Sequence, residues 1–417
     1  MAQPSLTPTQ KRNFLNVQID AVGVGLSAAS SPFLAVFLAR LDATSFQIGL
    51  LSSMSAITGL LLGIPVGRFL QTRRNIVPWF SLARLLVISC YALTGLVTLI
   101  LPRQDSVAAV LSIWAFATIP QSVVNVAFTV VMNAVAGPEN RYMLLSRRWT
   151  TLGLTKAVMT LVAGQMLDRI AFPLNYQLVF LLFSVGGLVS FYFSSRIDLP
   201  EQEPPPLAQG KSLRQNASNY LTLLRGEPAF VTFVSKRLVF LFGAALAGPL
   251  FTLYFVRQLH ASDAWIGWIN TAQTFVMMLG YFMWTRVSRW RGGRFVLLCT
   301  TLGVALYPAL TGMTTNLWLI TFYAGMAGIF QAGLDLVFFD ELMKTVPVEY
   351  SATFVALAQS MEHLSRVVAP LAGTTLSDHI GLSNTLFIGA GFCLAGFTLF
   401  ARKGKHTTPS NAPQSAT

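Results

Sequence analysis

From Phe14 onward the chain is a succession of apolar runs, most of them about 20 residues or longer, parted by short polar breaks. About 20 residues at 1.5 Å each carry a helix across the roughly 30 Å hydrocarbon layer of a bilayer. Twelve such runs are predicted as transmembrane helices: 14–38, 46–66, 76–100, 107–134, 144–167, 174–195, 229–256, 264–285, 294–312, 316–343, 351–377 and 382–401. Strands of a membrane barrel would alternate apolar and polar positions over about ten residues. These runs do not alternate, so the expected fold class is an all-α integral membrane protein with twelve transmembrane helices.

Composition agrees with that pattern. Only 11% of the residues are charged and 53% are hydrophobic, whereas soluble domains carry about 25% charged residues. A soluble protein this poor in charge could not cover its surface, and the abundance of apolar and aromatic residues excludes disorder. The net charge of +13 raises nucleic-acid binding as an alternative, and the positions of the charges answer it. With a cytoplasmic N-terminus, twenty Lys and Arg residues fall in inner loops and tails, and only Arg40, Arg103, Arg169 and Arg257 in outer loops. That is the lysine and arginine bias of cytoplasmic loops. No nucleic-acid partner is needed, both termini are expected in the cytoplasm, and the plasma (inner) membrane is the expected location. The first thirteen residues are polar, so no cleavable signal peptide is expected. Cys90, Cys299 and Cys393 all lie inside predicted spans, with no disulfide framework or metal motif, and no cofactor is expected.

Between spans six and seven the composition changes. Glu201-Gln202-Glu203-Pro204-Pro205-Pro206 reads as a stiff polar linker, after which Leu213, Ala217, Tyr220, Leu221 and Leu224 recur at helical spacing. The stretch is too short to span and reads as an amphipathic helix on the inner membrane surface. The expected organisation is therefore a six-helix bundle at 1–198, a cytoplasmic linker with this helix at 199–228, a second six-helix bundle at 229–403 and a disordered tail at 404–417. The halves repeat each other. Leu41-Asp42-Ala43-Thr44 followed by Ile48-Gly49 matches Leu259-His260-Ala261-Ser262 followed by Ile266-Gly267 at an offset of 218. Gln121, Asn125, Glu139 and Lys156 match Gln331, Asp335, Glu349 and Arg366 at an offset of 210. Internal repeats with polar residues at corresponding depths are a mark of secondary transporters, whose site lies between the repeats near mid-membrane.

Six plus six helices, a cytoplasmic central loop and cytoplasmic termini resemble the major facilitator superfamily over nearly the whole chain. The family's signature after span two, roughly G-x-L-A-D-R-x-G-R-R, is degenerate here: Gly63 and Arg68 fit, Gly67 stands at the aspartate position, and the basic pair is displaced to Arg73-Arg74. Trp284 occupies the aspartate position of the second-half counterpart, so the interdomain latch that the family builds on that aspartate is not matched. The Gly- and Pro-rich signature of proton-linked drug exporters is absent from span five. The resemblance implies two pseudo-symmetric six-helix bundles and alternating access, with Gly63, Arg68, Arg73 and Arg74 in the gating loop. It implies that spans 1, 4, 7 and 10 line a central cavity, that 2, 5, 8 and 11 flank it, and that 3, 6, 9 and 12 are peripheral.

An ionised side chain in mid-span costs about 2.5–3.5 kcal/mol on insertion scales, so it should face a partner or a wet cavity. Asp20, Arg84, Lys156, Lys236, Arg237, Asp335, Glu362, His363 and Arg366 are such residues. Asp20, Gly23, Ser27 and Ser31 share one helical face, Gln121, Asn125 and Thr129 another, and Gln331 and Asp335 a third. Each face is either a polar cavity wall or a helix-packing stripe. The candidate cavity residues are Asp20, Gln121, Asn125, Lys156, Lys236, Arg237, Gln331, Asp335 and Arg366. Asp335, Glu362 and His363 are the candidates for proton coupling. Two readings of Asp335 stand: a carboxylate protonated in one access state with Lys156 or Arg366 as its moving partner, or a permanent ion pair. Glu362 and Arg366, four apart with the acid first, also suit a plain intrahelical pair. Arg84, on a peripheral helix, needs no more than snorkelling or a loop contact.

The expected function is secondary active transport of a small organic solute, anionic or zwitterionic, coupled to protons, by a monomer that is not an enzyme. Gly210-Lys211-Ser212 is only a fragment of a phosphate loop, with Pro205 at the required first glycine. The alternatives are a uniporter, a drug or metabolite exporter, and a membrane-embedded lipid-modifying enzyme. His260, His363, His379 and His406 are scattered, with no catalytic motif around them.

Overall fold

The computed structural model describes residues 7–200, 227–346 and 351–402. The predicted surface helix around 213–224 and the tail at 404–417 lie outside the described residues. The described chain is helical: α1 Pro8–Ala28, α2 Ser31–Arg40, α3 Ser45–Gln71, α4 Val77–Ile100, α5 Arg103–Arg169, α6 Leu174–Ser195, α7 Pro228–Leu253, α8 Asp263–Arg291, α9 Gly293–Gly312, α10 Leu317–Thr345, α11 Ser351–Ile380 and α12 Leu382–Ala401. The protein is a multi-pass integral membrane protein. The first span is two pieces, α1 and α2, divided just ahead of Pro32, whose ring cannot continue a helix ladder. Spans four and five, expected as separate helices, run together in α5. The break is a single residue, Gly137, at φ 65° and ψ 175°, a conformation that L side chains avoid.

Nine of the described helical stretches are long and apolar enough to cross a membrane by length and composition alone. The three predicted spans outside that set are the second part of α5, α8 and α11. Each of these helices packs one face on a helix of the other half. The second part of α5 packs on α8, and α11 packs on α3, and these two crossings join the halves of the chain. Within the first half α1 and α4 each pack on α5 and α6; within the second, α7 packs on α11 and α12, and α10 on α8 and α9. A helix sheltered from acyl chains tolerates the charges that lower its hydropathy.

The duplication extends to backbone detail. Asp42 and His260, 218 residues apart, are the non-glycine residues with positive φ, at 64° and 47°. Each follows the end of a helical segment, and two residues later Thr44 or Ser262 caps the next helix through its side-chain oxygen. The crossing of α1 with α6 recurs between α7 and α12. A Cβ on Gly23 would strike the backbone of Gly186 and Ser190, and one on Gly243 would strike Gly389 and Cys393.

The apolar core is shared at one end of the molecule and divided at the other. Phe33, Phe37, Leu250 and Tyr254, from both halves, belong to one continuous cluster on the face away from the termini, here the far face. Toward the terminal face two separate cores replace it. Phe14, Phe80 and Met132 anchor the first half, and Phe230, Phe240 and Phe338 the second.

Candidate functional site

Along α3, the residues turned to the second half show where the cavity opens. Gly49 lies against Thr374 and Pro370, the Ser53 hydroxyl donates to the Val367 carbonyl at 2.9 Å, and Gly59 lies under the His363 ring. Gly63 and Gly67 continue that face at intervals of four, and a Cβ on either would meet nothing within 4 Å. The same progression runs along α5. Gly164 packs on Asp263, Ala264 and Gly267 at the far face, the Ala157 carbonyl accepts from Thr271 at 3.0 Å, and a Cβ on Gly137 would meet nothing within 4 Å among the described residues. The two halves thus meet at the far face and part toward the terminal face.

The closed end is held by a reciprocal set of polar contacts built on the sequence repeat. Arg40, at the end of α2, donates to Asp263 Oδ1 from Nη2 at 2.7 Å and from Nε at 3.1 Å, and to the Ala261 carbonyl at 3.1 Å. Tyr176 Oη donates to the same carboxylate oxygen at 2.7 Å. Arg257, at the end of the seventh span, donates to the Ala43 carbonyl and to Ser45 Oγ, the latter at 2.9 Å. Ala43 and Ser45 are the 218-residue counterparts of Ala261 and Asp263. Each half therefore extends an arginine to the same two positions of the other. Ser45 Oγ also donates to Asp378 Oδ1 at 2.6 Å, and Arg103 ties the corner by pairing with Asp42 at 2.8 Å. We call this arrangement the clasp. Asp263 is nearly buried while Arg40 is about one-third exposed (side chains 6% and 30%), so the pair is partly shielded from water and salt.

Sequence reasoning missed Arg40, Tyr176, Arg257 and Asp263. In the sequence both arginines read only as outer basic residues, although Arg40 ends its helix and Arg257 lies one residue from the end of its own, just before the two copies of the repeat. That adjacency was the available signal.

Of the predicted cavity residues, Gln331 and Arg366 line cavities between the helices, and the others take part in separate polar contacts or stand apart. Asp335 is exposed, its carboxylate accepting from Gln331 Nε2 at 2.7 Å and from Tyr281 Oη at 3.0 Å. The Gln121 amide donates in the same way to Asn125 Oδ1 at 2.8 Å, so the repeat with offset 210 is also a repeated hydrogen bond. Glu362 bridges two cations, Arg237 on α7 and Arg366 on its own helix, both at 2.7 Å. Arg366 and Glu362 also exert their charges on Asp335. His363 packs on Gly59 of the other half, with Nδ1 buried and without a partner. Lys156 is half-buried and makes no ion pair or side-chain hydrogen bond among the described residues. Its place on α5 falls between the face packed on α1, which includes Leu152 and Thr155, and the face packed on α8, which includes Gly153 and Gly164. Lys236 is half-buried and likewise without an ion pair.

Other expectations meet a different geometry. Asp20 is not on a cavity wall: it is fully buried inside the first half, where Arg84 Nη1 spans both carboxylate oxygens at 2.5 and 2.6 Å. Arg148 Nη2 adds a contact at 3.3 Å and Ser190 Oγ one at 2.6 Å. Arg84 neither snorkels nor reaches a loop, and Arg148, counted as an inner-loop residue, is only 2% exposed. The three helices and Ser190 bring the charges together because none of them could be buried alone. The stripe above Asp20 is packing, with Gly23 against Gly186 and the Ser27 hydroxyl on the Phe183 carbonyl. Arg68, Arg73 and Arg74 are exposed near the α3–α4 turn. Arg73 lies 4.3 Å from the Phe69 ring centre and 5.0 Å from that of Trp79, within its own half. Trp284, at the missing aspartate position, is buried and donates to the Ile329 carbonyl at 2.8 Å.

Comparison with known proteins bears on the architecture just described. Residues 236–417 match the model of the Major Facilitator Superfamily. The fold is that of the nucleoside transporter NupG (TM-score 0.70, 12% identity, 93% of this chain and 99% of that one). It is also that of the human organic anion transporter MFSD10 (0.64, 15%, 94% and 100%). A bacterial homolog of the human lysosomal transporter Spinster, solved inward-facing and unoccupied, aligns at 0.67 with 13% identity over 95% of this chain and 97% of that one. The second half of the chain thus resembles the Major Facilitator Superfamily in sequence, and the whole chain shares the fold of these transporters. Its sequence is similar to the multidrug resistance protein MdtG of Salmonella typhi and of Salmonella choleraesuis, at 29% identity over 168 residues in each case. The match takes in 38% of this chain and 41% of either relative, so the chain spans about two-fifths of the length of the curated relatives it matches. Its halves join through spans 2, 5, 8 and 11, and Gly67 and Trp284 stand where the resemblance places the latch aspartates.

Proposed function

We propose that the protein is a secondary active transporter that moves a small organic solute across the membrane by alternating access, with protons as the coupling ion. The observation that carries this reading is the pairing of a clasped far face with an uncovered terminal face, joined by two helix crossings that repeat about a pseudo-two-fold. Two rigid bundles on such an interface can rock about the site between them. The bias of basic residues supports a cytoplasmic terminal face, which makes this conformation inward-open and the two bundles, at 1–198 and 229–403, the moving bodies. A monomer in the plasma (inner) membrane is sufficient for this mechanism. The similar proteins are transporters rather than enzymes, which favours transport over the lipid-modifying reading. Drug export is the second reading, and the similarity to MdtG favours it.

Asp335 is the group we assign to the proton. Tyr281 and Gln331 hold its two oxygens, Arg366, Glu362 and Arg237 supply the nearby charges, and no cation pairs with it directly in this conformation. Closing the terminal face would bring the unpaired Lys156 of the first half toward the second, where it favours the ionised carboxylate. Proton entry would release it. The balance of Lys156, Lys236, Arg237 and Arg366 over Asp335 and Glu362 favours a solute with an anionic or zwitterionic group.

Spin labels on opposite sides of the clasp, and a second pair across the terminal opening, test the motion without any solute. The expected result is two populations with opposite changes at the two faces; one fixed set of distances would refute alternating access. Solutes that stabilise the purified protein are then taken into liposomes with and without a pH gradient. Asp335→Asn is expected to lose gradient-driven accumulation and retain exchange. Accumulation by this variant that still follows the gradient would remove Asp335 from the coupling role.

A further inference from the structure

Under the clasp lies a cavity of about 330 Å³ whose lining carries no charged side chain. Its aromatic wall is Phe251 and Tyr307, stacked with ring centres 4.6 Å apart. Thr252 and three amides, Asn270, Gln273 and Gln331, make up the other polar lining, and the amides have hydrogen-bonding capacity to spare. Asn270 spends its Nδ2 on the Ile266 carbonyl and keeps Oδ1; Gln331 spends its Nε2 on Asp335 and keeps Oε1; the Gln273 side chain makes no hydrogen bond among the described residues. Free amide capacity beside an aromatic stack suits a flat, uncharged ring with donors and acceptors on its edge. The volume is at the small end of ligand pockets, enough for one ring system.

A second cavity of about 320 Å³ adjoins the first, sharing Ala244, Gly248 and Gln331. The charged side chain in its lining is Arg366. One nitrogen of that guanidinium is on Glu362, whose other oxygen is taken by Arg237, and the side chain is 57% exposed. The remaining donors of the fork are available to an anion.

We propose that the two cavities receive the two ends of one solute: a flat, uncharged, hydrogen-bonding heteroaromatic ring in the chamber under the clasp, and a carboxylate on a short arm at Arg366. This names the substrate class of the site and rests on the transport reading above. The chamber is also built to report its occupancy. Pro32 and Val36 of the first half close one side of it, and Val36 is one helical turn from Arg40 on the same face of α2. The solute therefore touches the helix that carries the clasp.

Gly248 provides a clean test, because a Cβ there meets nothing within 4 Å. Gly248→Leu is expected to fill the junction of the cavities, with its Cβ in open space. Binding to the purified full chain is measured by calorimetry with three probes: uracil-1-acetate, uracil and cyclohexaneacetate. Uracil-1-acetate is expected to bind, and each of the others, lacking the anion or the amide ring, to bind about tenfold or more weakly. Gly248→Leu should abolish binding of uracil-1-acetate at an unchanged melting temperature. Arg366→Gln should bring its affinity down to that of uracil and leave uracil unaffected. Equal binding of cyclohexaneacetate, full binding by Gly248→Leu, or no binding of uracil-1-acetate to the wild type would each overturn the assignment. The ligand-free spin-label distances separate the two ideas. Moving faces with no binding refute the chamber and spare transport, and binding with immobile faces does the reverse.

Discussion

Asp20 and Asp335 are both carboxylates within apolar helices, and their surroundings give them opposite work. Asp20 has no access to water and answers two arginines, so it belongs to the frame of the first half. Removing it leaves Arg84 and Arg148 buried without an anion, a change that costs about 3–5 kcal/mol in comparable pairs. Asp20→Ala is accordingly expected to lower the unfolding temperature of the detergent-purified protein sharply, whereas Asp335→Asn, at an exposed position with two neutral partners, should leave it nearly unchanged. A similar loss in both variants would mean that Asp335 is also a structural group. In the sequence the two residues look alike, because depth along a span is readable but the direction of a side chain among five neighbouring helices is not.

At the scale of the element, the halves meet where small residues permit it. Gly164 of α5 packs on α8 at its Asp263 end, and Gly49 of α3 packs on Thr374 of α11. Gly49 and Gly267, both part of the repeat, are the corresponding points of the two crossings. A Cβ on Gly164 would press on the Asp263 carbonyl and the Ala264 backbone, which cannot give way as a flexible side chain would. Gly164→Leu is expected to hold the far face open. A cysteine at Ile266, buried in the closed form, should then react with a membrane-impermeant maleimide added from that side, and solute accumulation should fall. An unreactive cysteine with normal accumulation would show that this crossing does not govern closure. The helices themselves were legible as apolar runs. The union of spans four and five was not, because Gly137-Pro138 and the polar residues after it have the composition of a loop, while the backbone bends at one residue and stays helical on both sides.

For the whole molecule, the clasp ties the halves together at the closed far face. The chain lacks the family's aspartate at the terminal face, with Gly67 and Trp284 in those positions, and carries charged and polar ties at the far face instead. The resting balance should therefore favour the form described here. Arg40→Ala or Asp263→Ala is expected to raise the far-open population about tenfold or more, equivalent to roughly 1.4 kcal/mol. The exchange Arg40→Asp with Asp263→Arg should restore much of the closed form. Spin-label distances across the far face measure all three variants. An unchanged population in both single variants would reduce the clasp to a surface ornament of an interface held by its apolar core.

Spacing and composition alone laid out the succession of membrane-length apolar runs, the repeated segments and the uneven placing of the basic residues, because hydrophobic length and charge bias act locally and survive in one dimension. The repeated segment beginning at Leu41 and Leu259 was visible in the same way. Only the tertiary structure decided that this repeat ties the halves together, that Asp20 belongs to a sealed ion cluster, and that Gly248, Gln273 and Arg366 border adjoining cavities. Those facts depend on which helix faces which across distances of up to two hundred residues. That choice is made by the packing of whole bundles, and no local pattern encodes it.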